Sequence, residues 1–260
     1  MELDLQNRRV LVTGGSQGIG LAVARGFLAE GAKVAIVARD EKRLARAAAE
    51  LSQIPGAEVR ARSLDLAQSG AAQALADEFF DTDILVNNAG AIPTGDIFAV
   101  DEARWRAAWE LKVFGYINMC RAFYPLMRGW KSGVIINVLG VAAINHDSEY
   151  ICGVAGNAAL EAFTQSLGSV SARDGVRVLG VHPGATATER LVGLMKKKAQ
   201  DRTGNAESWR ELVKPLPFGR AAMPEEIGAA IAFLASEKSA YTSGTILTVD
   251  GGASARAQSF

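Results

Sequence analysis

Short apolar, β-branched runs alternate along this chain with stretches whose apolar positions recur at helical spacing. Runs at 9–12, 34–37, 57–60, 84–86, 134–138, 176–181 and 245–249 predict strands. Between them, 21–28, 41–51, 71–80, 101–127, 157–171 and 224–234 predict helices. Alternation of this kind predicts an α/β fold: a parallel sheet of about seven strands with helices on both faces, doubly wound because crossovers are right-handed. Ligands in such folds bind beyond the carboxyl ends of the strands. The strand exits at 13–20, 39–40, 65–66, 87–90, 139–150 and 183–190 are therefore where binding residues are expected. The segment 191–218 breaks the alternation with a Lys-rich helical stretch; lying over the binding edge, it is a candidate substrate lid.

No linker, repeat or low-complexity tract divides the chain, so residues 1–260 are expected to form one domain. Lys and Arg total 28 and Asp and Glu total 28, which leaves no long-range field to collect nucleic acid or anionic lipid. The partner expected is a small molecule, with no nucleic acid and no membrane. No stretch has the length and apolarity of a membrane span, and the first residues lack the apolar core of a signal peptide, so a cytoplasmic protein is expected. Cys120 and Cys152 read as reduced thiols, and with His146 and His182 as the only imidazoles no metal site is expected.

Residues 13–20 read Thr-Gly-Gly-Ser-Gln-Gly-Ile-Gly between a strand and a helix, the pattern of a phosphate cradle. Glycine lets backbone approach a pyrophosphate, and the helix start points unpaired N–H groups at the anion. Together with Asn87-Asn-Ala-Gly90, Pro183-Gly-Ala-Thr-Ala-Thr188, Pro217-Phe-Gly-Arg220, Pro224-Glu-Glu226, Ser243-Gly244 and Val249-Asp-Gly-Gly252, this turn resembles the short-chain dehydrogenase/reductase family over nearly the whole chain. The resemblance implies a Rossmann fold, a nicotinamide dinucleotide cofactor and a homo-oligomer, dimer or tetramer, built through the helices around 101–127 and 153–168. It also implies cofactor contacts from Gly14, Ser16, Gln17, Ile19, Gly20, Arg39, Asp65, Leu66, Asn88, Ala89, Gly90, Asn157, Pro183, Gly184, Thr186 and Thr188. Asn87 and Asn88 are expected to tie neighbouring strands through their amides.

At the second strand's exit an acidic residue would accept bonds from a free adenosine 2′-hydroxyl and repel a 2′-phosphate. Arg39 instead offers a guanidinium fork, which favours NADP over NAD, although Gln17 stands where a second basic residue often helps.

The resemblance fails where relatives carry catalytic Asn, Ser, Tyr and Lys. Lys112 takes the Asn position, Gly140 the Ser, Gly153 the Tyr and Asn157 the Lys, and the thirteen-residue step between the two glycines equals the family's Ser-to-Tyr step. A competing register makes Tyr150 the acid, but its fourth neighbour is then Val154, which can neither lower a phenol pKa nor bind ribose. In the first register Tyr150 lies one helical turn before Gly153, within reach of the vacated space, or is a rim aromatic. Lys112 is a candidate acid/base, oxyanion stabiliser or imine-forming amine, or else pairs with Asp147 or Glu149. Asn157 is able to hydrogen-bond the nicotinamide ribose. His146 is a candidate proton carrier, whereas His182 reads as strand-end structure.

The leading expectation is a divergent NADP-dependent oxidoreductase of a small organic carbonyl or alcohol, with Lys112, Tyr150 and Asn157 at its centre. The alternatives are a non-redox enzyme using lysine-assisted carbonyl chemistry and a nucleotide-binding pseudoenzyme.

Overall fold

Strand β1 (Arg9–Thr13) is almost wholly buried because it lies at the middle of the sheet. Its neighbours are β2 (Lys33–Ala38) and β4 (Ile84–Asn87), and the full order is β3-β2-β1-β4-β5-β6-β7, every pairing parallel. The remaining strands are β3 (Glu58–Ser63), β5 (Gly133–Val138), β6 (Val176–Pro183) and β7 (Ile246–Val249). The computed structural model describes residues 2–256.

Side chains of a strand alternate between faces, and β1 uses both. Val10 and Val12 pack against α1 (Gly18–Ala29), α2 (Glu41–Leu51) and α9 (Pro224–Ala235) through Phe27, Leu44, Leu51, Ile227 and Ile231. Leu11 faces the other way, onto α3 (Ala71–Glu78) and α5 (Gly115–Trp130) through Leu75, Phe123 and Met127. Apolar faces on both sides explain why the central strands read as uninterrupted apolar runs. This is the doubly wound α/β fold that the pattern predicts.

Two helices depart from expectation. The stretch expected as one helix over 101–127 divides into α4 (Glu102–Trp109), a π-helical turn (Glu110–Phe114) and α5, which continues to Trp130 past the internal Pro125. A π turn inserts one extra residue and re-aims the side chains within it; Lys112 is one of them. The helix expected from 157 begins six residues earlier, as α6 (Ile151–Ser171). Glycines at 153 and 156 weaken the helical signal there, but tertiary packing on β6 overrides propensity. The segment 191–218 folds as α7 (Glu189–Thr203) and α8 (Trp209–Val213), with Thr188 capping α7 by accepting from the Leu191 N–H.

Candidate active site

The order of the strands reverses between β1 and β4, which opens a crevice at their carboxyl ends. Both strand exits are stitched there. Asn88 Nδ2 donates to the carbonyls of Thr13 and Gly14 at 3.1 and 3.2 Å, while Thr13 Oγ1 accepts from the Asn88 and Ala89 amides at 2.9 and 3.1 Å. Behind them, Asn87 Nδ2 donates to Asn137 Oδ1 and Asn137 Nδ2 to Thr164 Oγ1, both at 2.9 Å. These buried bonds, each worth about 1 kcal/mol, join β4, β5 and α6 as the expectation for the two asparagines requires.

The crevice widens into a cleft of about 810 Å³. It is lined by Gly14, Ser16, Gln17, Ile19, Arg39, Asp65, Leu66, Asn88, Ala89, Gly90, Lys112, Tyr150, Asn157, Pro183, Gly184, Thr186 and Thr188, all of which the sequence singled out. Gly20 is the exception: it lies beneath the turn. A Cβ there would stand 2.3 Å from the Gly14 carbonyl oxygen and 2.5 Å from Asn88 Nδ2, so only glycine lets α1 start this close to β1.

At one end of the cleft Arg39 reaches toward Asp65, Nη1 to Oδ2, at 4.0 Å, leaving the guanidinium largely exposed. A second guanidinium joins it, which the sequence reading missed. Arg43, in the first turn of α2, donates to the Gln17 amide oxygen and lines the cleft. Its signal was available, since a helix capped by Asp40 turns its third residue back toward the strand exit.

At the other end, Tyr150 packs against Gly153. A Cβ on Gly153 would lie 2.1 Å from Cε1 and Cζ of Tyr150, so the phenol ring rests directly on the Gly153 backbone. Tyr150 is thus a wall of the cleft. Its pKa is raised by burial and pulled back by the neighbouring Arg190 guanidinium, so the phenol is protonated at neutral pH. Arg190, the second residue of α7, was also missed; its Nη2 donates to the Ile92 carbonyl at 2.6 Å.

Lys112 is half-buried with its stem packed on Gly90, where a Cβ would approach Cδ to 2.8 Å. The alternative pairing with Asp147 or Glu149 does not occur: the Lys112 Nζ donates to the Leu139 carbonyl at 3.1 Å. Both carboxylates sit on an exposed part of the loop after β5. Burial, aided by repulsion from Arg190, lowers the ammonium pKa to about 8.

Asn157 is buried, and its Nδ2 donates to the Gly153 carbonyl at 2.7 Å. That bond leaves Oδ1 without a partner, facing Gly140 at the cleft wall. An orphan acceptor of this kind fits a hydroxyl donor from a bound molecule. His146 is exposed and does not line the cleft. His182 is buried in β6 with Nε2 3.4 Å from Glu161 Oε2, the strand-end role expected of it. Among the described residues no helix is long and apolar enough to cross a membrane, and no cluster of three metal-binding side chains occurs.

Comparison with known proteins places this architecture. Residues 14–254 match the family described as Enoyl-(Acyl carrier protein) reductase. A galactitol 2-dehydrogenase (L-tagatose-forming) from Cereibacter sphaeroides is 35% identical over 243 residues, spanning 93% of this chain and 92% of that protein. A 3-oxoacyl-[acyl-carrier-protein] reductase from Chlamydia muridarum is 31% identical over 252 residues, 95% of this chain and 98% of the relative. Among solved structures, L-sorbose reductase from Gluconobacter frateurii, complexed with NADPH and L-sorbose, superposes with a TM-score of 0.91 at 30% identity, over 99% of this chain and 100% of that one.

Proposed function

The chain belongs to the short-chain dehydrogenase/reductase family, and we propose that it is an NADP-dependent oxidoreductase of a small carbonyl or alcohol compound in which Tyr150, Lys112 and Arg190 do the work of the family's usual catalytic groups. The observation that carries this reading is the seating of the Tyr150 ring on Gly153. A phenol occupies the place of the missing side chain, reached from one turn earlier in the chain and flanked by a cation.

The residues present fit the cofactor. The turn at 13–20 with Gly20 packed on Gly14 leaves the start of α1 free to face a pyrophosphate, and Asn157 Oδ1 is the free acceptor for a ribose hydroxyl. Arg39 and Arg43 fit a 2′-phosphate, with Gln17 positioning the second guanidinium. A bound nicotinamide nucleotide supplies the hydride, and the protein supplies orientation and a proton. In the reducing direction the substrate oxygen takes its proton from the Tyr150 hydroxyl, which solvent then replenishes. Lys112 and Arg190 stabilise the negative charge that develops on that oxygen. The first turns of α7 contribute Arg190, Leu191 and Leu194 to the cleft, so the start of the 191–218 segment acts as the substrate lid.

Titration with NADPH and NADH, followed by nicotinamide fluorescence, tests the cofactor reading. Saturable binding of NADPH is expected, and Arg39→Asp is expected to weaken it about ten- to hundredfold, the loss of charge-assisted bonds to a phosphate, while leaving NADH unaffected or improved. No NADPH binding at millimolar concentration would discard the proposal.

The lysine sets a pH dependence. Its folded pKa of about 8 lies below the ordinary 10.5, so the ammonium is charged below about 8 and lost as pH rises through that value. The profile of kcat/KM, which reports the free protein, is therefore expected to fall above about 8, and Lys112→Met is expected to abolish that limb. A basic limb unchanged in Lys112→Met contradicts the assignment.

A further inference from the structure

Two cations, Lys112 and Arg190, line the same cleft, and no carboxylate among the described residues forms an ion pair with either. Lys112 spends a donor on the Leu139 carbonyl and Arg190 on the Ile92 carbonyl, and neither forms an ion pair among the described residues. A guanidinium carries five donors and an ammonium three, so most of their capacity is free. The surrounding charges do not compensate. Glu189 lines the cleft but is exposed and pairs with neither cation, Asp147 and Glu149 are exposed on the loop after β5, and Glu161 lies against His182. The only charged group that perturbs Lys112 is Arg190, and it does so by repulsion. Lys112 is half-buried and Arg190 exposed, and a ligand anion between them would relieve the repulsion that Lys112 feels.

Resting on the oxidoreductase reading of this cleft, we infer that the substrate is a small carbonyl or alcohol compound bearing an oxyanion, a carboxylate or a phosphate ester, held between Lys112 and Arg190. The anion is the substrate's and not the cofactor's. The Arg190 guanidinium is tied to the Ile92 carbonyl, beyond Gly90 on the loop after β4, and makes no hydrogen bond to the glycine turn. Lys112 reaches the exit of β5 and Arg190 comes from the lid helix, so an anion between them would bridge lid and sheet. The lysine's lowered pKa accords with this: a bound anion would raise it again by favouring the ammonium that burial disfavours.

The test is calorimetry of matched pairs, with the protein alone and loaded with NADPH: acetoacetate against acetoacetamide, 2-oxobutyrate against 2-oxobutyramide, and dihydroxyacetone phosphate against dihydroxyacetone. In at least one pair the anion is expected to bind about ten- to hundredfold more tightly than its neutral partner, and which pair responds tells carboxylate from phosphate. Lys112→Met and Arg190→Gln are each expected to remove most of that preference while NADPH binding, read by fluorescence, stays intact. Equal affinity across every pair, or a preference that survives both substitutions, overturns the inference. Anion binding by a protein that takes no NADPH sustains the inference and defeats the oxidoreductase reading instead.

Discussion

Tyr150→Phe is expected to lower kcat about 10²- to 10⁴-fold, the range a positioned general acid contributes, with NADPH binding unchanged. The phenylalanine ring keeps the seat on Gly153, so the change removes a proton donor without opening a cavity. The phenol's pKa is raised by burial, which keeps it in the donating form at neutral pH, and Arg190 limits the rise. Steady-state rates in the reducing direction check the magnitude. A drop of less than about tenfold would return Tyr150 to the status of a rim aromatic.

Gly153→Ala is the second large effect, and it separates seating from chemistry. The new Cβ would stand 2.1 Å from two atoms of the Tyr150 ring, and helix backbone cannot yield, so the ring must leave. Overpacking of this kind costs about 1–3 kcal/mol, and turnover is expected to fall to the level of Tyr150→Phe because the hydroxyl is displaced. The sign of the stability effect depends on the tyrosine. In a Tyr150→Ala background the three atoms nearest the methyl are gone, and alanine's advantage over glycine inside a helix is expected to make the same substitution stabilising by about 1 kcal/mol. Denaturant unfolding of the four proteins in this cycle measures the coupling. A cost for Gly153→Ala that is the same in both backgrounds means that the ring does not rest there.

The sheet was legible because periodicity and burial agree: runs such as 34–37 and 84–86 are apolar on both faces, as buried parallel strands must be. The glycine turn, the asparagines at the end of β4 and Arg39 were legible because each carries a local physical reason. Three things were not. The π turn at Glu110–Phe114 has no signature in hydrophobic spacing, yet it carries Lys112 onto Gly90. The start of α6 at Ile151 was hidden by glycines whose low helix propensity is outweighed by packing. Arg190 sits in the first turn of α7, and the strand exit over which that turn folds is not marked by the local cap at Thr188. The direction of the Tyr150 ring is answered only in three dimensions: the sequence offered Tyr150 as one turn away from Gly153, and the fold puts the ring on top of it.

The central claim is that hydride reaches a small carbonyl compound in this cleft with Tyr150 as proton donor. Reduction of the anionic carbonyl panel with NADPH carrying deuterium at the transferable position tests it in one measurement, by mass spectrometry of the alcohol formed. Deuterium bound to the former carbonyl carbon, with its rate of appearance cut by Tyr150→Phe, is the predicted result. A borohydride-trapped adduct on Lys112 with no deuterium in any product would contradict it.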